Sequence, residues 1–159
     1  MHKTLSPLKN EDGSLIVFTL MVLTLLTIVG LASIRTADTE IEIAGTELLY
    51  QRNFYLAEGA AMEAVRWMDN NTITTSSGPA WMEMTPAALS NAAAIDAFFA
   101  ANAQTSAIDG DASFIAAYEG VTSGSSLDVN KTTLHEITIY GRSQKRGMAE
   151  IRLGYRKAF

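Results

Sequence analysis

The chain has 159 residues, enough for one domain with a sizeable core, and it contains no cysteine. The lack of cysteine fits a reducing compartment or an exported protein without disulfides. The net charge of -5 is uneven, because residues 36–130 hold thirteen acidic and two basic residues, whereas residues 131–159 hold seven basic and two acidic residues. An acidic body argues against nucleic-acid binding. The basic tail is interpreted as a solvated hairpin face opposite acidic neighbours, with a partner surface as the alternative.

Residues 15–34 form a run of twenty residues without a charged side chain. As an α-helix with a rise of about 1.5 Å per residue, this run matches the hydrocarbon core of a bilayer. A buried soluble helix and a cleaved secretory signal are the alternatives, but a signal peptide usually has a shorter apolar region that ends at a small-residue site. Lys3 and Lys9 precede the run and only Arg35 follows closely, which predicts a cytoplasmic N-terminus and an exported head.

The helix is expected to continue beyond the apolar run. Residues 36–68 contain no proline and consist mostly of good helix formers, and a cluster of Asn, Ser, Thr, Gly and Pro follows them. We therefore predict one helix over residues 14–69, with a transmembrane segment at 15–34 and an amphipathic second half. The predicted apolar stripe of that second half, at helical spacing, consists of Tyr50, Phe54, Ala57, Ala61, Val65 and Met68.

Residues 70–159 are predicted to form a small globular head. Residues 85–104 have the character of a helix, with Thr85 as its N-cap and Pro86 as its first helical residue. Trp81 and Met82, just before it, are expected to pack in the core rather than bind a ligand. The apolar stripe predicted for this helix consists of Leu89, Ala92, Ile95 and Phe99.

Three later segments have the character of strands, at residues 113–120, 135–143 and 148–158. The sequence SQKRG between the last two predicts a hairpin turn, with Gly147 at positive φ. We expect an antiparallel sheet of three or four strands that packs on the helical stripe, with the short helix alongside, giving an α+β fold. In this packing Phe54, Ala61 and Val65 are expected to be buried under Ile137, Ile139, Ile151 and Leu153.

Catalysis has little support in the sequence. The two histidines are His2 and His135, and we expect His135, at the start of a strand, to be an ordinary surface residue. No segment resembles a nucleophile elbow. Asp109 and Asp111 in DGDAS match part of a calcium loop but lack its later ligands, so a plain turn is expected, with calcium as the alternative. We predict no enzyme activity, cofactor or metal.

The segments DGSLIVFTLMVLTLLTIVGLASIRT, EIEIAG and FYLAEGA follow one another in the first third of the chain. Together they resemble the N-terminal region of PilX-type minor pilins, a branch of the type IV pilin superfamily. The resemblance is close over residues 10–65. It is weaker in the closing strands FIAAYEG, EITIYGRS and MAEIRLGYR, and residues 70–108 show no family pattern.

The resemblance implies that residues 1–13 are a type III signal peptide, which a prepilin peptidase of the inner membrane removes after Gly13. The new amine on Ser14 would then be methylated. The chain departs from the family at two places. Acidic residues stand before the glycine, where prepilins often carry a basic residue, and Phe18 occupies the fifth mature position, where many major pilins carry glutamate.

By this resemblance the protein is a minor pilin, held in the inner membrane with its head in the periplasm and later part of an extracellular pilus. The implied partners are other major and minor pilins through the N-terminal helix, prepilin peptidase and a PilY-type tip adhesin. Phe18 offers no carboxylate to a neighbour's N-terminal amine, so we expect a priming or tip-located subunit, with a shaft position as the alternative. A pseudopilin of a type II secretion system and an unprocessed single-span signalling protein are the alternative functions.

Overall fold

A computed structural model describes residues 11–123 and 133–158 of the chain, with side chains from Ser14 onward. The fold is α+β, as predicted, with a long N-terminal helix, a short helix and a small sheet. The elements in chain order are α1 (Glu11–Asn70), β1 (Met82–Glu83), α2 (Ala92–Asn102), β2 (Gln104–Thr105), β3 (Ala112–Val121), β4 (Leu134–Ser143) and β5 (Ala149–Ala158).

Helix α1 contributes to two compact units, one formed by the residues up to Thr46 and the other by the residues from Glu47 onward. In the first unit, every residue from Ser14 to Thr46 is exposed. Hydroxyl groups within the apolar run are satisfied inside the helix, so they need no water. Carbonyl oxygens three or four residues earlier accept hydrogen bonds from the hydroxyls of Thr19, Thr24, Thr27 and Ser33.

The sheet has the strand order β1-β3-β4-β5, and β2 also pairs with β3. The long strands β3, β4 and β5 form antiparallel ladders, as expected, but β1 lies parallel to β3. The sheet is therefore mixed and has five strands, and the prediction of three or four antiparallel strands was wrong on this point. The two additional strands have two residues each, too few for an alternating pattern to indicate them. Gly147 has a φ of 141° in the β4–β5 turn, as predicted.

Helix α1 packs on one face of the sheet through small side chains. Ala57 and Ala61 are buried where Gly141 of β4 comes close to the helix. A Cβ atom added at Gly141 would lie 2.1 Å from the carbonyl oxygen of Ala57 and 3.0 Å from the Cβ of Ala61. Glycine at this position therefore allows the close approach of helix and strand. The same core includes Ala60, Ala64, Met68, Trp81, Met82, Phe114, Ile137 and Ile139.

The predicted stripe of α1 is correct in its C-terminal part and wrong in its N-terminal part. Tyr50 is 62% exposed and Phe54 is 41% exposed, so neither is buried under the sheet. Asn53 is buried instead, at 4% exposure. The face of α1 that packs on the sheet therefore contains Asn53 in place of Phe54. This face is rotated by one residue position from the predicted face, which contained Tyr50 and Phe54. Val65 and Leu153 are partly buried against the core.

Helix α2 begins six residues later than predicted. Asn91 is its N-cap, and the Asn91 side chain accepts a hydrogen bond of 2.9 Å from the N–H of Ala94. The proposed start at Thr85 and Pro86 was wrong because Ala87 has a φ of 61°, a left-handed conformation that a right-handed helix does not contain. Ala92 is exposed. A second core on the other face of the sheet contains Leu89, Ile95, Phe99, Ile115, Ala117 and Tyr140.

Candidate functional site: an exposed apolar helix segment and an anchored head

Residues 15–34 of α1 form a continuous apolar surface. The large hydrophobic side chains in this run are between 38% and 67% exposed. Among the described residues, α1 is the one helix that is long and apolar enough to cross a membrane, with a mean hydropathy of 2.7 over its most apolar part. Exposure of apolar surface to water costs about 25 cal/mol per Å². Contact with lipid or with other apolar helices would remove this cost, and the segment is long enough to span a membrane.

The residues of the predicted processing site lie at the N-terminal end of α1. The helix begins at Glu11, so Gly13 has a helical backbone, and the Ser14 side chain is exposed. Residues 1–10 of the predicted leader lie outside the described residues. Cleavage after Gly13 and methylation of Ser14 remain predictions.

Phe18 adds apolar surface in the first turns of α1. Its side chain is 63% exposed, and it borders a shallow depression together with Val22, Leu23 and Leu26. No carboxylate lines this depression. The fifth residue after Gly13 is thus part of the apolar surface.

Asn53 fixes α1 to the turn between β4 and β5. Its side-chain nitrogen donates a hydrogen bond of 2.9 Å to the carbonyl oxygen of Lys145. Its Oδ1 atom accepts a hydrogen bond of 3.0 Å from the hydroxyl of Ser143. This role of Asn53 was not predictable from the sequence, because a single amide within an apolar stripe has no periodic signal.

The end of strand β5 holds the C-terminal end of α1. The Lys157 ammonium donates hydrogen bonds to the carbonyl oxygens of Met68 and Asn71, the latter at 2.8 Å. Carbonyl groups at a helix C-terminus have no partner within the helix, and a cation there also interacts favourably with the helix dipole. The Tyr155 hydroxyl donates a hydrogen bond to the Asp69 carboxylate. Burial and this carboxylate raise the pKa of Tyr155 to about 12.

Arg142 joins β4, β5 and α2. It is only 6% exposed, and its Nη2 atom lies 2.6 Å from Asp96 Oδ1 and 2.6 Å from Glu150 Oε2. The guanidinium carbon lies 4.0 Å from the centroid of the Phe99 ring. Burial alone would lower the pKa of Arg142, but the hydrogen bonds to Glu150 and Asp96 raise it above its ordinary value. The arrangement is that of a structural charge cluster beside a polar cleft.

Asp109 and Asp111 are engaged by cationic side chains of the protein. Lys145 Nζ lies 2.9 Å from Asp111 Oδ2 and 3.5 Å from Asp109 Oδ2, and Arg52 lies 3.6 Å from Asp109. The N–H of Asp111 donates to Asp109 Oδ1, which lowers the pKa of Asp109, and Lys145 lowers it further. Within residues 11–123 and 133–158, no three metal-ligating side chains come together.

His135 is not the surface residue that the sequence suggested. It is only 3% exposed, and its Nδ1 atom lies 2.8 Å from the hydroxyl of Tyr118. The reason is that its side chain lies on the same face of β4 as those of Ile137 and Ile139, which are buried in the core with α1.

Comparisons of the chain with protein-family models, with curated proteins and with solved structures find no match. The resemblance to PilX-type minor pilins therefore rests on the N-terminal sequence segments and the closing strands. The structure itself shows an exposed apolar helix segment and a head anchored to the same helix.

Proposed function

We propose that this protein is a minor type IV pilin, a structural subunit that primes assembly of the pilus or lies at its tip. In this proposal it waits in the inner membrane with its head in the periplasm, and prepilin peptidase cuts it after Gly13. The observation that carries the proposal is that one continuous helix, α1, contains both a membrane-length exposed apolar surface and the segment that builds the head core.

The apolar surface of residues 15–34 suits two successive environments. In lipid, its Leu, Ile and Val side chains gain little from contact with other helices, because lipid tails are equally apolar and packing alone decides association. Outside lipid, the alternative is water, and burial against other apolar helices is favoured by about 25 cal/mol per Å². The apolar surface of such a subunit is therefore covered by lipid while the helix spans the membrane, and by neighbouring helices when it lies in the core of a filament.

The anchored head supports the same proposal. Asn53 and Lys157 fix α1 to the sheet at two places, one near the start of the contact and one at the end of the helix. The head therefore moves with the second half of α1 when the helix is withdrawn from a membrane. Such coupling suits a subunit whose helix enters a filament core and whose head forms the filament surface.

Phe18 supports a position at the tip. A glutamate at this position could neutralise the N-terminal amine of a neighbouring subunit in a dry filament core, and an unpaired buried charge is costly. Phe18 supplies apolar contact but no carboxylate, so repeated insertion along the shaft would leave amines unpaired. The first subunits to be assembled do not need this pairing, so a subunit with Phe18 fits among them at the tip of the filament.

Immuno-electron microscopy of sheared filaments tests the proposal. Label on the head of the wild-type protein should occur at one filament end, and deletion of the protein should reduce the number of pili. Phe18→Glu should introduce label along the shaft, whereas the matched control Phe18→Leu should leave label at the end. Label spread evenly on wild-type filaments would refute the tip position, and absence of label from all extracellular fibres would refute the pilin assignment.

A further inference from the structure

Strand β5 (Ala149–Ala158) is an edge strand of the sheet. It pairs with β4 over its full length of ten residues. Among residues 11–123 and 133–158, no strand pairs with its other side. An edge of this length presents a row of backbone N–H and C=O groups that can pair with another chain.

The ladder register identifies the residues whose backbone groups face outward. The N–H of Thr122, just beyond β3, donates to the carbonyl oxygen of Leu134, so the backbone groups of Leu134 point toward β3. Successive residues of a strand alternate in direction, so His135 and every second residue after it point toward β5. The β5 residues opposite them are every second residue from Lys157 back to Ala149, and the backbone groups of these residues point toward β4. The outward-facing backbone groups of β5 therefore belong to Glu150, Arg152, Gly154, Arg156 and Ala158.

The side chains of these residues make the edge basic. Arg152 is 59% exposed and Arg156 is 62% exposed. Their nearest carboxylates are Glu150 at 3.4 Å and Glu136 at 3.8 Å, and exposed ion pairs of this length contribute little. From residue 142 to residue 158 the chain has six basic residues and one acidic residue.

Gly154 leaves open space between the two arginines. No atom of the described residues lies within 4 Å of the position that a Cβ would occupy there, so a small side chain at this position would not obstruct the edge. The edge therefore has a backbone that can pair and a cation on each side of its centre.

The charges select the kind of segment that can bind. If two copies of β5 paired antiparallel about Gly154, Arg152 of one copy would lie opposite Arg156 of the other, and like charges directly opposite are destabilising. A segment with carboxylates at alternate positions would instead place a negative charge opposite each arginine. The edge thus disfavours a second copy and favours an acidic strand.

We propose that β5 is a docking site for an extended acidic segment of a partner protein, which joins the sheet as an additional strand beside β5. Backbone hydrogen bonds to Arg152, Gly154 and Arg156 hold the segment, and salt bridges to the two arginine side chains set its specificity. This inference goes beyond the proposed pilin function and does not depend on it.

Hydrogen exchange of the full chain in detergent micelles tests the proposal, with a synthetic peptide of alternating valine and glutamate as the probe. The peptide should protect the amides of Arg152, Gly154 and Arg156, while a valine–lysine peptide should not. Gly154→Pro removes one outward N–H and keeps the β4–β5 ladder, because proline is tolerated on a strand edge whose N–H faces solvent. It should weaken binding by roughly tenfold or more, whereas the matched control Gly154→Ala should bind as the wild type does.

A double charge reversal, Arg152→Glu with Arg156→Glu, gives a test that does not depend on the proline variant. It should transfer the protection from the glutamate peptide to the lysine peptide. Tryptophan fluorescence, which reports on the buried core around Trp81, checks that each variant is folded. Failure of the glutamate peptide to protect the three amides, or equal binding of both peptides to the wild type, would overturn the proposal. Protection that depends on protein concentration without peptide would show pairing of two copies and would also overturn it.

Discussion

Gly141 and Asn53 show how single residues set the contact between α1 and the sheet. Gly141 has no side chain where the backbone of Ala57 comes closest, and Asn53 supplies two hydrogen bonds beside a contact that small apolar side chains form. Neither role follows from hydropathy, because glycine and asparagine both lower the apolar character of a stripe. Their effects can be measured by tryptophan fluorescence. Trp67 of α1 and Trp81 of the head have ring centroids 5.1 Å apart, so both tryptophans report the separation of helix and head on unfolding.

The variant Gly141→Ala is expected to destabilise the head by about 3 kcal/mol or more, at the upper end of overpacking effects. The added Cβ would meet a helix carbonyl oxygen, which cannot move without a shift of α1. Denaturant unfolding of the full chain in micelles, followed by tryptophan fluorescence, measures the change. Gly154→Ala is the control on the same sheet, because its Cβ enters open space, and a similar loss in both variants would contradict this packing.

Asn53→Ala is expected to cost about 1 to 3 kcal/mol, because it leaves the Ser143 hydroxyl and the Lys145 carbonyl without their partner. The neighbouring change Phe54→Ala should cost about 1 kcal/mol or less, well below the loss of a fully buried aromatic side chain, because Phe54 is 41% exposed. The same unfolding measurement compares the two variants. A larger loss of stability for Phe54→Ala than for Asn53→Ala would show that Phe54 is on the buried face of α1, as the sequence suggested.

Among the elements, periodicity predicted the second half of α1 and the three long strands, because each has enough residues to repeat a pattern, and Gly147 in SQKRG predicted the β4–β5 turn. Periodicity failed for β1 and β2, which have two residues each, and for the start of α2. The sequence around Thr85 and Pro86 has the composition of a helix start, but the left-handed Ala87 separates it from the helix. Backbone conformation at a single alanine is set by packing of the surrounding chain, which composition does not report.

The corrected start of α2 gives a prediction on its N-cap. Asn91→Ala should lower the stability of the head by about 1 kcal/mol, because the N–H of Ala94 loses its acceptor. Thr85→Ala should change the stability by less than about 0.5 kcal/mol, since Thr85 is exposed and lies outside the helix. The unfolding midpoints of the two variants distinguish an N-cap at Asn91 from an N-cap at Thr85. A larger loss of stability for Thr85→Ala than for Asn91→Ala would place the helix start at Thr85.

The contact between β5 and the end of α1 predicts a dependence on alkaline pH. The pKa of Tyr155 is raised from its ordinary value near 10 to about 12 in the folded protein, so its contribution is complete below pH 10 and is lost as the pH rises toward 12. The stability difference between the wild type and Tyr155→Phe in denaturant unfolding should therefore stay constant below about pH 10 and shrink between about pH 10 and about pH 12. A difference that stays constant over this interval would show that the hydroxyl does not form this contact.

At the scale of the whole molecule, the sequence predicted the order of its parts: an apolar helix segment, an amphipathic continuation and an α+β head. The polar contacts that fix the head were not predictable, because the partners of Asn53, Arg142 and Lys157 lie on other parts of the fold, from 8 to 92 positions away in the chain. In the sequence, Arg142 and Lys157 belong to the basic tail. In the structure, Arg142 contacts Asp96 and Glu150, and Lys157 contacts carbonyl groups at the end of α1.

The intact mass of the membrane-extracted protein shows whether the chain is processed as a pilin, because cleavage after Gly13 and methylation of Ser14 both change it. The wild type should have the mass of a chain that begins at Ser14 and carries one methyl group. Gly13→Leu should retain the mass of the full chain from Met1, whereas Gly30→Leu, a matched change at an open position of the same helix, should mature normally. A wild-type protein that keeps Met1, or a Gly13→Leu variant that still yields the shorter species, would contradict the assignment.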